Sequence, residues 1–492
     1  MARRATVVGS GPNGLAAAVA LARAGYEVRV LEASSTIGGG TRTAELTVPG
    51  FRHDVGSAVH PAAMSSPFFR AFGLRERVEW IVPEISFAQP LDPAGPGGDP
   101  RAAIAWHSLE RTARGLGRDA GTWRAVVRPL TRHLDSVVDF TGHQLLRMPR
   151  HPVTTVRFGL RALQLGTPLG QLTWRTDEGA ALFSGVVAHA NRSLPDVGAA
   201  ASALFLIAHA HARDGWAYPR GGAQAVADAL VADLHAHGGA VEPDTFVGSL
   251  ARLDWGDPAA GDLLLLDTSP RLALTHPDIP PSYARALRRY RYGQAAAKVD
   301  FALDGAVPWA HPDVARSPTV HVGGTRDEVE ASENAVAAGR VTERPYVLTV
   351  QPSILDETRA PAGKQTLWTY VHVPAGSTLD PTELVTRQVE RFAPGFRDRI
   401  IASSVMTAAE RAAFNPSDIG GDILGGAFTF AQAFRRPVLS PTPWRTPMRG
   451  VYLASASTPP GPGVNGMAGW FAARQALSDL AGVPVELDDL FG

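Results

Sequence analysis

Cysteine is absent from the chain. That excludes disulfides, thiolate nucleophiles, cysteine-ligated zinc, redox-active Cys-x-x-Cys pairs and a flavin tethered through cysteine. Net charge is absent as well, because 47 Lys and Arg balance 47 Asp and Glu. Without a basic footprint, DNA or RNA binding is not expected. No run reaches the ~18 apolar residues of a membrane-spanning helix. The nearest stretch, Val197 to Ala212, carries His209 and His211 and reads as a core or interfacial helix. No segment reads as a strong basic amphipathic helix either, which leaves peripheral membrane contact open but unsupported. His189, Asn191, His209 and His211 lack a metal-ligating spacing, so no metal is expected. What remains is a chain of 492 residues, 45% apolar and 19% charged, with the make-up of a soluble globular protein. Its length allows two or three domains.

The first forty residues carry the strongest pattern. Ala5 to Val8 is β-prone, Gly9-Ser10-Gly11-Pro12-Asn13-Gly14 is a glycine-rich turn, and Leu15 to Ala24 reads as a helix stopping at Gly25. Glu27 to Glu32 is a second strand, whose final carboxylate falls about twenty residues past the turn. This is the G-x-G-x-x-G fingerprint in its required strand–turn–helix setting, and it predicts dinucleotide binding. Gly9 permits the tight turn, Gly11 close approach of a pyrophosphate, and Gly14 helix–strand packing. Pro12 and Asn13 open the helix whose free N–H groups face the anion. Glu32, followed by Ala33, is expected to accept the ribose hydroxyls. Arg3-Arg4 before an apolar run resembles a signal peptide, but cleavage there would destroy the motif, so the run is read as fold.

Further along, Ile37-Gly38-Gly39-Gly40-Thr41-Arg42 is expected to pass beneath the pyrophosphate, with Arg42 adding positive charge. Gly56-Ser57-Ala58-Val59 is expected along the edge of the cofactor's ring, and His60 is a candidate catalytic base with a structural histidine as the alternative. Residues 66–214 read as largely helical, most clearly at Trp123, Val126, Val127, Leu130 and Leu134. Asp262 to Thr268 encloses an apolar run expected to be a buried parallel strand. Tyr292 to Leu303, Tyr346 to Val350 and Thr366 to Val373 read as strands of an antiparallel sheet. Asp380-Pro381-Thr382-Glu383 has the spacing of a capped helix start. The chain closes with a strand at Gly450 to Ala456, a turn from Ser457 through Gly463-Val464-Asn465-Gly466-Met467, and a helix. No second fingerprint with its acidic partner follows, which argues against a separate NAD(P)H module.

Taken together, Gly9 to Gly14, Glu32, Gly38-Gly39, Tyr218-Pro219-Arg220-Gly221-Gly222, Asp356 to Gly363, Gly420-Gly421-Asp422 and Val451 through Met467 resemble the phytoene desaturase-like FAD-dependent oxidoreductases of the flavin amine oxidase superfamily. The likeness is nearer the broad phytoene dehydrogenase-related group than the carotenoid enzymes. Ala454-Ser455 stands where that family often has Cys-Gly, and the stretch between Val241 and Asp262 is short. The resemblance implies an α/β protein with a split Rossmann-type FAD-binding domain (1–65, 215–275 and 440–492). A substrate domain of antiparallel sheet plus helices (66–214 and 276–439) would be inserted into it. It implies non-covalent FAD, with Gly463 to Met467 over the flavin and ribityl chain. Lys298, on a strand leading to Pro308-Trp309, is similar to the lysine near flavin N5 in that superfamily. The expected reaction is dehydrogenation of a small apolar, isoprenoid or lipid-like substrate by hydride transfer to flavin N5, with oxygen or a quinone as electron acceptor. Amine oxidation, polyene isomerisation on reduced FAD and a low-turnover flavin-bearing partner are the alternatives. A cytoplasmic protein, with or without peripheral membrane contact, is expected.

Overall fold

A computed structural model describes residues 3–492. Two sheets organise it. The first is parallel and has five strands: β1 (Arg4–Val8), β2 (Glu27–Leu31), β3 (Ala240–Glu242), β4 (Leu263–Leu266) and β5 (Val451–Leu453). Their order across the sheet is β5-β4-β1-β2-β3. The registers align the carboxyl ends, because Val8 pairs with both Leu31 and Leu266, and Leu266 pairs with Leu453. The chain leaves β1 toward β2 on one side while β4 lies on the other. The crevice at that reversal is where open α/β sheets bind ligands. One register therefore sets the Gly9 turn, Glu32 and Asp267 side by side.

Helix α1 (Pro12–Arg23) follows the turn, with Pro at its first position and Arg23 in its last turn. Its Ala-rich sequence gives it no polar face, and nearly every residue is buried. Gly25 stops it at φ +85°.

The second sheet has seven strands in the order 400–406, 295–303, 365–373, 347–350, 319–322, 85–91 and 101–106. All neighbours are antiparallel except the parallel pair 319–322 and 85–91. The hairpin at 85–106 corrects the expectation of a helical 66–214 stretch. Its strand Ile85–Leu91 is buried throughout despite Ser86, Gln89 and Pro90, so it shows no alternation to read. Two of its polar groups find internal partners: Ser86 Oγ donates to Ala210 O (2.9 Å) and Gln89 Nε2 to Gly324 O (2.7 Å), while Gln89 Oε1 is buried without one.

The start of the helix at Thr382–Glu390 also differs from expectation. Asp380 accepts from the Thr382 amide at 2.9 Å, but no reciprocal Glu383 bond closes a box. Glu383 instead pairs with Arg397 at 2.8 Å. Complete capping boxes form at Thr325/Glu328 and Thr407/Glu410.

Helix α2 (Pro152–Leu165) packs on the largely buried helix α3 (Val197–Ala210). Phe158, Ala162 and Leu165 of α2 face the core. Val153, Val156, Leu160 and Leu163, whose spacing reads as a core face, point outward, with Leu160 61% exposed. Arg157 and Arg161 lie on the same helix, so α2 carries two basic residues together with its exposed apolar ones. Helix α4 (Met467–Ala481) follows the C-terminal turn and packs against α1. Among the described residues no helix is long and apolar enough to cross a membrane, and no cluster of potential ligands could hold a metal ion.

Candidate active site

A cleft of about 690 Å³ runs from the carboxyl edge of the parallel sheet to the antiparallel sheet. Its floor at the sheet edge consists of glycine backbone from three separate segments. A Cβ on Gly39 would lie 2.8 Å from Gly11 Cα, and one on Gly56 would strike Gly40 O. A Cβ on Gly14 would overlap Gly9 O. Only glycine permits this stacking, and it leaves a shallow trough of main chain beside the N-terminus of α1. Such a trough admits an extended dinucleotide with a pyrophosphate at the turn.

Glu32 stands at one end of the trough. Its Oε2 accepts from the Ser10 amide (2.9 Å) and Ser10 Oγ (2.6 Å), and its Oε1 from the Ser34 amide (2.8 Å). These bonds aim the carboxylate and leave lone pairs for ribose hydroxyls. Arg42 is held by Gly39 O (2.8 Å) and Ser34 Oγ (2.6 Å), with its guanidinium over the Phe414 ring.

The other end is apolar with a few polar groups. Ala296 and Lys298 alternate along the 295–303 strand onto the cleft side, as Trp368 and Tyr370 do from 365–373. The Trp368 and Tyr370 rings meet edge to face at 5.3 Å. Lys298 Nζ lies 5.7 Å from the Trp368 ring centre and forms a buried ion pair with Asp300. Burial pulls the Lys298 ammonium below its ordinary range, and Asp300 opposes that pull. Behind the pair, His53 Nδ1 stands 3.6 Å from Asp300 Oδ1, and Asp54 is bridged to Arg359 at 2.7 Å. Burial holds His53 down at about 3, so its ring is neutral. Phe205 and Leu206 of α3 and His189 close the wall. His189 shares one hydrogen at 2.9 Å with the wholly buried His321, and burial holds it down at about 3.

The cleft gathers most of the residues singled out from the sequence. Gly9, Gly11, Pro12, Asn13, Glu32 and Ala33 line it, as do Gly39, Gly40, Arg42 and Gly56 to Val59. Ser457, Gly463, Val464 and Lys298 join them from distant parts of the chain. Gly14 sits beneath the turn, and Thr41 is buried with its hydroxyl on Gly38 O (2.7 Å). Asn465, Gly466 and Met467 turn inward rather than onto the cleft. Asn465 Oδ1 accepts the Met467 amide at 2.9 Å, and Gly466 (φ +67°) packs against Phe68 and Ala16. They shape the start of α4. His60 is buried beside Trp80 at 6.4 Å, outside the cleft lining, and neither ring nitrogen has a partner. Burial holds it down at about 4.

Sequence reasoning missed Asp267, His189, Trp368 and Tyr370. Asp267 had a signal: it ends an apolar strand as Glu32 ends β2. The others lie on elements whose facing side only the sheet register reveals.

Comparison with known proteins fits this architecture. Residues 7–72 match the NAD(P)-binding Rossmann-like domain family. Pyridine nucleotide-disulfide oxidoreductase domain-containing protein 2 of Rattus norvegicus is 25% identical over 97% of this chain and 93% of its own. Since this chain has no cysteine, it brings no thiol pair of its own to such chemistry. Phytoene desaturase (lycopene-forming) of a Paracoccus species is 26% identical over 57% of this chain and 59% of its own. Among solved structures, an oxidoreductase from Methanosarcina mazei superposes with a TM-score of 0.62 at 16% identity, covering 96% of this chain and 100% of that one. Putrescine oxidase bound to putrescine gives 0.59 at 16% identity, with 98% and 99% covered.

Proposed function

We propose that this chain, an oxidoreductase of the broad flavin amine oxidase and phytoene desaturase group, binds FAD non-covalently and dehydrogenates an apolar organic substrate. The observation that carries this reading is the continuity of one cleft from the three-glycine trough to the Lys298 and aromatic end. A two-part cofactor with a polar, anionic half and a flat ring suits that sequence of linings. Bound FAD supplies the two-electron acceptor, the part of the reaction that no side chain here can perform. The chain's own contribution is to bind, orient and dry the reactants. The glycine trough and Arg42 hold the phosphates, and Glu32 holds the ribose. Phe205, Leu206 and Leu348 exclude water from the reacting end. Lys298, kept charged by Asp300 or neutral by burial, holds a proton at Nζ on the cleft wall. Oxygen or a quinone takes the electrons onward in this reading. A second reading, oxidation of an amine, is favoured by the Trp368–Tyr370 pair, whose faces suit a cationic group.

The test begins with purified protein, which should be yellow and release FAD on denaturation. Under anaerobic conditions an apolar isoprenoid or fatty substrate should bleach the oxidised band, whereas bleaching by amines alone would favour the second reading. Colourless protein that takes up no added FAD would sink both.

The same proposal extends to location. From residue 140 to 176 there is no acidic residue; Arg157 and Arg161 lie on α2 with its outward apolar side chains, while Arg147 and Arg150 just before the helix pair with Asp139. Leu172 beyond the helix is 82% exposed. Basic residues around exposed apolar ones suit an anionic lipid surface. The protein should float with phosphatidylglycerol-containing vesicles but not with pure phosphatidylcholine. V156E/L160E should remain in the pellet fraction while keeping its FAD. Equal flotation of that variant would refute the contact.

A further inference from the structure

The anion end of the cleft contains a carboxyl group without a cation. Asp267 follows β4, and its backbone N–H donates to Val8 O at 2.8 Å, which fixes it against the glycine turn. Its Oδ2 accepts the Gly14 amide at 2.8 Å. The same oxygen lies so close to the turn that a Cβ on Gly11 would stand 2.6 Å from it. Asp267 also lines the cleft. Thus one of the free N–H groups at the N-terminus of α1 is already occupied by an acid of the protein. Among the described residues the only charge that bears on this carboxyl group is that of Glu32, which is of like sign. The turn itself, Gly9 to Gly14, brings no titratable side chain, and no ion pair reaches it from the segment after β4.

Ionised Asp267 and a pyrophosphate could not share this turn at low cost. The helix terminus offers about half a unit of positive charge, and the trough beside Asp267 is main chain with no cationic side chain in contact with that carboxyl group. We infer that Asp267 is a further cofactor-binding residue that carries its proton in the dinucleotide complex, donating its O–H toward the pyrophosphate, so that FAD binding takes up one proton at alkaline pH. The inference rests on the FAD reading. The proton balance is simple: the acid that is ionised in the free protein gains one H⁺ from solvent as the cofactor enters, and no other bond changes.

The free protein already leans this way. Burial pushes the Asp267 carboxyl up to about 7, the Gly14 amide opposes that rise, and Glu32 adds to it. A carboxyl group raised in the folded state binds its proton more tightly there than in the unfolded chain. Its contribution to stability is therefore greatest in acid and is lost as pH climbs from about 4 through about 7. Two phosphate charges nearby raise it further. The affinity for FAD should then fall as pH rises above the free protein's value, by about tenfold per pH unit for one linked proton.

The experiment is FAD titration of the stripped full-length protein, followed by flavin fluorescence between pH 6 and 9. ADP-ribose serves as a second probe, because its pyrophosphate is also esterified at both ends. Binding should weaken about tenfold per unit above pH 7 for both ligands. Calorimetry in two buffers of different ionisation enthalpy should register net proton uptake at pH 8, a measurement that needs no variant. Asp267→Asn retains an acceptor for Gly14 and presents N–H in place of O–H. Its affinity should be flat across the range and exceed the native affinity at pH 9. A flat native profile, absence of proton uptake, or an unchanged slope in D267N overturns the assignment and leaves the flavin reading intact. Failure of both ligands to bind at any pH overturns the flavin reading and the assignment with it.

Discussion

Gly469→Val should yield a protein that unfolds at markedly lower temperature and is purified without cofactor. Gly469 lies in the first turn of α4, where that helix crosses the start of α1. A Cβ there would overlap the Asn13 carbonyl oxygen, with Asn13 C at 2.6 Å and Ala17 N at 3.1 Å. These neighbours are main chain, so no side-chain rotation relieves the clash. The two helices must separate, and the Gly9 to Gly14 turn moves with α1. Overpacking a core against side chains costs about 1–3 kcal/mol. Against helical backbone the upper end or more is expected. Differential scanning fluorimetry and the flavin-to-protein absorbance ratio report the two effects. Gly159→Ala on the outer part of α2 is the control, because nothing lies within 4 Å of its Cβ position. It should hold the native midpoint or exceed it slightly, since alanine favours helix by up to about 1 kcal/mol over glycine. A native midpoint in G469V would mean that the helices are not packed this closely.

Lys298→Met should lower the rate of flavin reduction by about two orders of magnitude or more, the range for loss of a positioned proton-transfer group. It should leave cofactor content unchanged. The same substitution should also destabilise the fold. Lys298 and Asp300 are buried as a pair, and removing one partner strands the other at a cost of about 3–5 kcal/mol. The two effects separate in the double variant K298M/D300L. Replacing both charges with apolar groups removes the stranded carboxylate, so stability should return toward native while the rate stays low. If the double variant regained both, the lysine would be structural and the proton would be handled elsewhere. If neither single nor double variant changed the reduction rate, Lys298 would have no part in the chemistry. Rapid-mixing absorbance at the flavin band measures the rate, and chemical denaturation measures the stability.

The extent to which the sequence disclosed this molecule can be followed residue by residue. The opening turn was legible because its chemistry is local: glycines, a helix start and a strand-ending carboxylate recur at short, fixed spacing. The strand at 365–373 was legible from β-branched and aromatic content, and that at 295–303 from its strand-like alternation, with a start placed three residues early. The 85–106 hairpin was not, because burial on both faces erased the alternation that marks a strand. Helix α2 misled in the other direction. Its Val153, Val156, Leu160 and Leu163 have the spacing of a core stripe, yet Phe158, Ala162 and Leu165 turn inward. Periodicity shows that a helix has two faces and is silent on which one finds a partner. The C-terminal turn illustrates the same limit, since a glycine-rich turn could line a cleft or shape a helix start, and here Gly463 and Val464 do the first while Asn465 to Met467 do the second.

By itself the sequence determined the glycine turn between strand and helix, the carboxylate at the end of the second strand, the absence of thiols and the two kinds of sheet. Each of these follows from residue identity and spacing along a few tens of residues. Only the tertiary structure decided that Asp267 lies against Gly11 and Gly14 with no cation, that Lys298 is paired with Asp300 beside Trp368, and that His60 lies away from the cleft. Those relations join positions more than two hundred residues apart, or depend on which side of a strand faces inward. They are set by sheet register and helix packing, which no local pattern encodes.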